Sequence, residues 1–262
     1  MIAYACAIAD QDKFRRYANP GLERAFEPDS ELLEIGGRDC LFRAYNEALA
    51  WARELPELEA LVLLHEDLEI LTAGFAADLR RALSDPEVAV VGVLGSADPD
   101  VGGIDWWHFK PYVGRLLVEA IDPMVAWGSA WMWLSGWVDN HAYGPAGSVD
   151  GAIVVLSPWA VHNLRFDESL GPSVHGYDAD IAFEARRRGK RVRVEYLPAC
   201  HHNNDNWKQL SGDAWKRGHA AFARKWGTPP RIPVPGDEPV ETPERAASIA
   251  RAAVEARAAD EK

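Results

Sequence analysis

Three polar side chains in a row, His65, Glu66 and Asp67, close the apolar run Leu61-Val-Leu-Leu. A run that stops so abruptly reads as a buried strand delivering imidazole and carboxylate groups to its own carboxyl end. In an open α/β sheet that end is where ligands bind, because strand ends and neighbouring helix N-termini form a crevice there. Two hydrophilic segments downstream, His175-Gly-Tyr-Asp178-Ala-Asp180 and Cys200-His201-His202-Asn-Asn, carry the groups that would complete one metal-assisted site. The competing reading of each segment is structural: a solvated strand end, a pair of helix caps, or histidines that are hydrogen-bonded or at the surface.

Regular elements must bring these segments together. Met1 to Ile8 is apolar and reads as a first strand, followed by Ala9-Asp10 and a polar stretch rich in Arg and Asp. Glu31 to Ile35 is a second strand, closed by Gly36-Gly37, a pair that marks a tight strand-to-helix turn. From Asp39 to Leu55 apolar residues recur at three and four, the period of an amphipathic helix, with Pro56 just beyond. Ala60 to Leu64 is the third strand, Thr72 to Leu83 a helix, and Val88 to Val93 a fourth strand. This alternation predicts an α/β fold, with a Rossmann-like, mostly parallel sheet, right-handed crossovers and flanking helices. Gly95 to Gly147, with six tryptophans, resists a regular assignment. Beyond it come a strand at Ala152 to Leu156, a helix at Asp180 to Arg188 stopped by Gly189, a strand at Arg191 to Tyr196 and a helix at Asp213 to Trp226. The chain divides into a domain of residues 1–227 and, over 228–262, a Pro-rich linker and helical tail.

The net charge of −12, with no basic stripe, argues against a nucleic-acid partner, because phosphate backbones are bound by clustered Lys and Arg. An anionic small molecule would need a metal or backbone donors to offset the repulsion, which favours a divalent cation. The three cysteines, Cys6, Cys40 and Cys200, are odd in number and widely spaced, so neither a disulfide framework nor a CxxC zinc site is indicated and a reducing cytoplasm fits best. The first eight residues lack a basic leader region and are too short for a membrane span, which takes about 20 apolar residues. In the tail acidic and basic residues alternate, so no membrane-seeking face is evident, and homodimerisation or peripheral docking through it is left open.

The ordered set of the N-terminal strand, Gly36-Gly37, Ala44-Tyr45-Asn46, His65-Glu66-Asp67, Val149-Asp150-Gly151, Phe166-Asp167-Glu168, His175-Gly-Tyr-Asp178-Ala-Asp180 and His201-His202 resembles the family 2 glycosyltransferases of GT-A fold. It is most similar to a small bacterial branch whose metal motif is a strand-end His-x-Asp rather than Asp-x-Asp. The resemblance spans about residues 1–226. It implies transfer of a sugar from a nucleoside-diphosphate sugar to a saccharide or other hydroxyl acceptor, inverting, with Mn²⁺ or Mg²⁺.

The residue roles that the resemblance implies have a chemical rationale. A diphosphate leaving group departs more readily when a hard cation held by oxygen ligands bridges its oxygens, and Asp67 fits that task. Glu66 binds the ribose or the metal's water shell, and His65 stands where most relatives carry the first aspartate, a nitrogen that suits Mn²⁺ better than Ca²⁺. One of His201 and His202 completes the metal shell. Asp178 is the expected base, taking the proton of the incoming hydroxyl. Asp180 is expected at the helix N-cap, on the acceptor side with Trp107, Trp133 and Trp207. Ala9, Asp10, Gly36, Arg38 and Asn46 are expected around the donor's base and ribose, and Asp150 and Gly151 beside its sugar, glycine allowing close backbone approach. Two other readings keep the same residues: a metal-dependent hydrolase built on His65, Asp67, Asp178 and a terminal histidine, and a sugar-binding relic without turnover.

Overall fold

The structure, a computed structural model, describes residues 1–36, 40–96, 112–118, 136–139, 143–171, 176–202 and 213–227. The chain opens with strand β1 (Ile2–Ile8), the short helix α1 (Gln11–Lys13), a π-helical turn (Phe14–Ala18) and helix α2 (Asn19–Ala25). Strand β2 (Glu31–Gly36), helix α3 (Leu41–Ala52), strands β3 (Ala60–His65) and β4 (Leu68–Ile70), helix α4 (Phe75–Ala82) and strands β5 (Val88–Gly92) and β6 (Leu94–Ser96) follow. Then come β7 (Tyr112–Val118), β8 (Gly136–Asp139), β9 (Gly144–Pro145), β10 (Ser148–Val149), β11 (Ile153–Leu156), α5 (Pro158–Asn163), α6 (Tyr177–Arg187), β12 (Arg191–Val194), β13 (Ala199–His201) and α7 (Asp213–Trp226).

The main sheet has the order β2-β1-β3-β11-β5-β12-β9. β1 lies parallel to both β2 and β3, and β12 parallel to β5. Its inner strands are continuous apolar runs because both faces are covered. One face packs Ile2, Tyr4, Cys6, Val62 and Leu64 under Phe14, Leu22, Phe75 and Leu79. The other packs Ala3, Ala5, Leu61 and Leu63 under Phe42, Tyr45 and Leu49 of α3 and Tyr177 and Ile181 of α6. Each such leucine or phenylalanine contributes about 1.5–3 kcal/mol by leaving water.

Four features depart from the pattern read in the sequence. β11 is antiparallel to both β3 and β5, inserted between them, because the chain returns from the second sheet at the carboxyl edge and runs back down. The stretch after Asp10 is helical, with Phe14, Tyr17, Ala18, Leu22 and Ala25 buried at spacings of one, three and four. α4 starts at Phe75 rather than Thr72, because the Thr72 hydroxyl accepts from the Gly74 N–H at 3.1 Å and turns the chain there. α6 starts at Tyr177, capped by Gly176 in the left-handed conformation (φ +85°), so Asp180 stands inside the first turn and is not the cap. Gly189, at φ +77°, stops α6 as expected.

A second sheet, ordered β10-β6-β7-β13-β4 with β8 on β7, closes over the carboxyl edge of the first. Its β7 and β8 lie in the segment where the sequence showed no pattern. Antiparallel pairing of β13 with β4 sets His201 opposite Leu68 and Cys200 opposite Glu69. That register joins Asp67, just beyond the end of β3, to His201, 134 residues later.

Candidate active site

The carboxyl edge of β3 gathers groups from four elements. His65 ends β3 beside Ala7 of β1, and its N–H donates to the Ala152 carbonyl at 3.1 Å, which places the start of β11 against it. Asp67, 3% exposed, follows two residues on. His201 Nε2 lies 3.2 Å from Asp67 Oδ1, and the rings of His65 and His201 are 5.6 Å apart. One ligand atom from each of His65, Asp67 and His201 falls within 4.8 Å of the others. Burial alone would raise the Asp67 carboxyl, but the His201 and His65 imidazoles, with Lys13 further out, outweigh it and hold its pKa down at about 2. Burial would likewise lower His201, and the Asp67 carboxylate reverses it, so His201 is raised. Two imidazoles and an ionised carboxylate converging in this way form a donor set for a small divalent cation, and the nitrogens favour Mn²⁺ over Ca²⁺.

Glu66 turns the other way, towards β1. Its Oε2 accepts from the Ala9 and Asp10 N–H groups at 2.5 and 2.7 Å. Asp10 caps α1, its Oδ1 accepting from Asp12 N at 2.9 Å and Lys13 N at 3.2 Å. The two caps hold Lys13 near enough for its charge to act on Glu66, Asp67 and His201. Gly36 ends β2 with open space on the side a Cβ would occupy.

Asp150 and Gly151 form the turn into β11. Asp150 N donates to Leu94 O at 2.8 Å, and its Oδ1 accepts from Ala152 N at 2.9 Å. A Cβ at residue 151 would collide with the Tyr177 hydroxyl and press on Asp178 Oδ2 at 3.0 Å, so glycine is required by close approach of α6. The Tyr177 hydroxyl donates to Gly151 O at 2.6 Å and lies 2.7 Å from His65 Nε2. Asp178 follows, 9% exposed, its Oδ1 accepting from Ala179 N at 2.8 Å. Burial, reinforced by the nearby Asp150 carboxylate, raises its pKa to about 7.

Three expected site residues are placed elsewhere. His202 Nε2 is 3.1 Å from Glu69 Oε2 and its ring stacks on Tyr17 at 4.1 Å, because successive residues of a strand point to opposite faces; His201 is the one that faces Asp67. Asp180 is fully buried, with Oδ1 held by Lys225 Nζ at 2.7 Å and Trp226 Nε1 at 2.8 Å, which ties α6 to α7. Asn46 clamps the 166–168 loop: its Nδ2 donates to Phe166 O at 2.9 Å and Glu168 Oε1 at 2.8 Å, while its Oδ1 accepts from Phe166 N at 3.0 Å. Both ends of the amide are engaged there, which ties α3 to that loop. Arg38, Trp107, Trp133, Trp207 and His175 lie outside the described residues, as does the tail.

Two residues of the site went unnoticed in the sequence. Lys13 carried no signal beyond standing three residues after an aspartate at a strand end. Tyr177 was in view, immediately before Asp178, but as an apolar residue in a polar motif it reads as core.

Several known proteins are similar to this chain. Over 226 residues it is 28% identical to the streptomycin biosynthesis protein StrF of Streptomyces griseus, covering 86% of this chain and 75% of the relative. GalNAc-T7, solved with UDP, GalNAc and Mn²⁺, superposes with a TM-score of 0.54 at 11% identity, over 86% of this chain and 48% of its own. The mannosyltransferase PcManGT of Pyrobaculum calidifontis, solved with GDP-Man and Mn²⁺, superposes with a TM-score of 0.51 at 15% identity, over 98% of this chain and 75% of its own. The fold is therefore the GT-A fold of these enzymes, as the resemblance in sequence implied. Residues 22–226, well over half the chain, match the family described as glycosyltransferase-like, and the chain belongs to that family.

Proposed function

We propose that the protein transfers a sugar from a nucleoside-diphosphate sugar to a hydroxyl acceptor with inversion, using a divalent cation, Mn²⁺ or Mg²⁺, held by His65, Asp67 and His201. The observation that carries this reading is the convergence, at one sheet edge, of that metal-type donor set with an enclosed carboxyl whose pKa is near 7. The presence of Mn²⁺ with UDP or GDP-Man in the two structural neighbours supports it. When bound, the cation supplies charge neutralisation at the diphosphate oxygens.

The chain's own groups do the rest. Lys13, whose charge is felt at Asp67 and Glu66, adds a positive charge beside the donor set and so offsets the diphosphate's charge as the bond to the anomeric carbon breaks. Asp178 accepts the acceptor hydroxyl's proton as that oxygen bonds to the anomeric carbon from the face opposite the leaving diphosphate. The proton ends on the Asp178 carboxyl and passes to solvent. A base of pKa near 7 is ionised in about half the molecules at neutral pH and is strong enough to take the proton.

Calorimetric titration with UDP, GDP and dTDP, with and without Mn²⁺, tests the donor site. Metal-dependent binding of one nucleotide, lost in Asp67→Ala, is expected. Failure of every nucleotide to bind under both conditions would overturn the transferase reading.

A further inference from the structure

The Tyr177 ring is explained by packing: it is 2% exposed, edge-on to Phe42 and Tyr45 and close to Phe166. Its hydroxyl is held by polar partners. The oxygen lies 2.6 Å from Gly151 O and 2.7 Å from His65 Nε2, and the Tyr45 hydroxyl, which can bring a proton of its own, is a third partner. A phenol has one proton and a carbonyl oxygen can only accept, so the proton of Tyr177 is committed to Gly151. The contact with His65 must then be made by a proton on Nε2. An uncharged imidazole protonated at Nε2 carries its lone pair on Nδ1, and only a lone pair binds a metal.

We infer that Tyr177 is a positioning residue that fixes His65 in the Nε2–H tautomer, so that Nδ1 is the atom offered to the divalent cation. The inference rests on the metal-site reading of His65, Asp67 and His201. Partners on the second nitrogen of a ligating histidine commonly set its tautomer and orientation in this way. Here the partner also precedes the proposed base in the chain. The Gly151 carbonyl, the Tyr177 hydroxyl and His65 therefore join the turn into β11, the first turn of α6 and the end of β3 by two hydrogen bonds. Because a Cβ at residue 151 would strike the Tyr177 hydroxyl, the acceptor can be presented at this distance only by glycine.

The tautomer is directly measurable. In metal-free protein with ¹⁵N-labelled histidine, long-range proton–nitrogen correlation should show His65 as Nε2–H, the signal being assigned by its loss in His65→Gln. Tyr177→Phe keeps the ring and removes the hydroxyl. It should give His65 a mixture of tautomers and weaken Mn²⁺ binding, followed by electron paramagnetic resonance, about 10- to 100-fold, the usual effect of losing such a partner. An Nδ1–H tautomer in the unsubstituted protein would overturn the inference without recourse to any variant. So would Tyr177→Phe with tautomer or Mn²⁺ affinity unchanged. Absence of Mn²⁺ binding in the unsubstituted protein would instead remove the metal reading, leaving the tautomer assignment to stand or fall on its own spectrum.

Discussion

The raised pKa that suits Asp178 to its proposed role as base carries a cost in stability. Its carboxyl is held near pH 7 in the fold, whereas an unfolded aspartate titrates at about 4. The folded state thus binds this proton more tightly, and the resulting stability is present at low pH and is lost as pH rises from about 4 through 7. In the metal-free protein Asp178→Asn should therefore raise stability at pH 8 by about 1–4 kcal/mol, with the gain vanishing near pH 4. Denaturant titrations at the two pH values check this. The same substitution should cut turnover by about 10²- to 10⁴-fold, the usual contribution of a general base, with donor binding retained. In the unsubstituted enzyme the rate should fall as pH drops below 7 and the base takes up its proton, visible as an acid limb in kcat/KM. At this scale the sequence was informative for Asp67 and Asp178, whose types and positions suffice to propose roles. It could not separate His201 from His202, because that choice is set by the pairing of β13 with β4, a contact between distant segments.

Between α6 and α7 the decisive contact is the one at Asp180. Its carboxylate is out of solvent, its Oδ2 makes no hydrogen bond, and its charge is met by Lys225, which also reaches Asp167 at 2.9 Å. Lys225→Met would leave that charge buried and uncompensated, and urea denaturation should show a loss of about 2–4 kcal/mol, at or below the usual range for breaking a buried pair because Lys225 remains 27% exposed. Asp180→Asn, which removes the charge with the cation still able to reach water, should cost less. The limits of α7 follow from its period in sequence, and the structure places it over the expected residues. The lysine–aspartate clamp does not, since a Lys in the last turn of one helix and an Asp in another share no local pattern. The π-helical turn after Asp10 was hidden for a related reason: Arg15, Arg16 and the Asn19-Pro20-Gly21 run obscure a helical period whose extra residue shifts the buried face.

On the scale of the whole molecule, the sheet was readable because each inner strand is apolar on both faces. Direction was not: Ile153-Val-Val-Leu has the same composition whether it runs with its neighbours or against them, and only the structure shows it antiparallel between β3 and β5. The second sheet, which delivers His201, depends on β7 and β8 from a segment without regular spacing. Among the described residues no helix is long and apolar enough to cross a membrane. The net charge of −12 sets a condition on the whole account: a dianionic nucleotide is repelled until a cation is bound. The most direct test is a crystal grown with Mn²⁺ and the nucleoside diphosphate that binds, with anomalous diffraction recorded at the manganese edge. One strong peak coordinated by His65, Asp67 and His201 and touching the diphosphate is expected. A peak held by other residues, or nucleotide density with no manganese beside it, would contradict it.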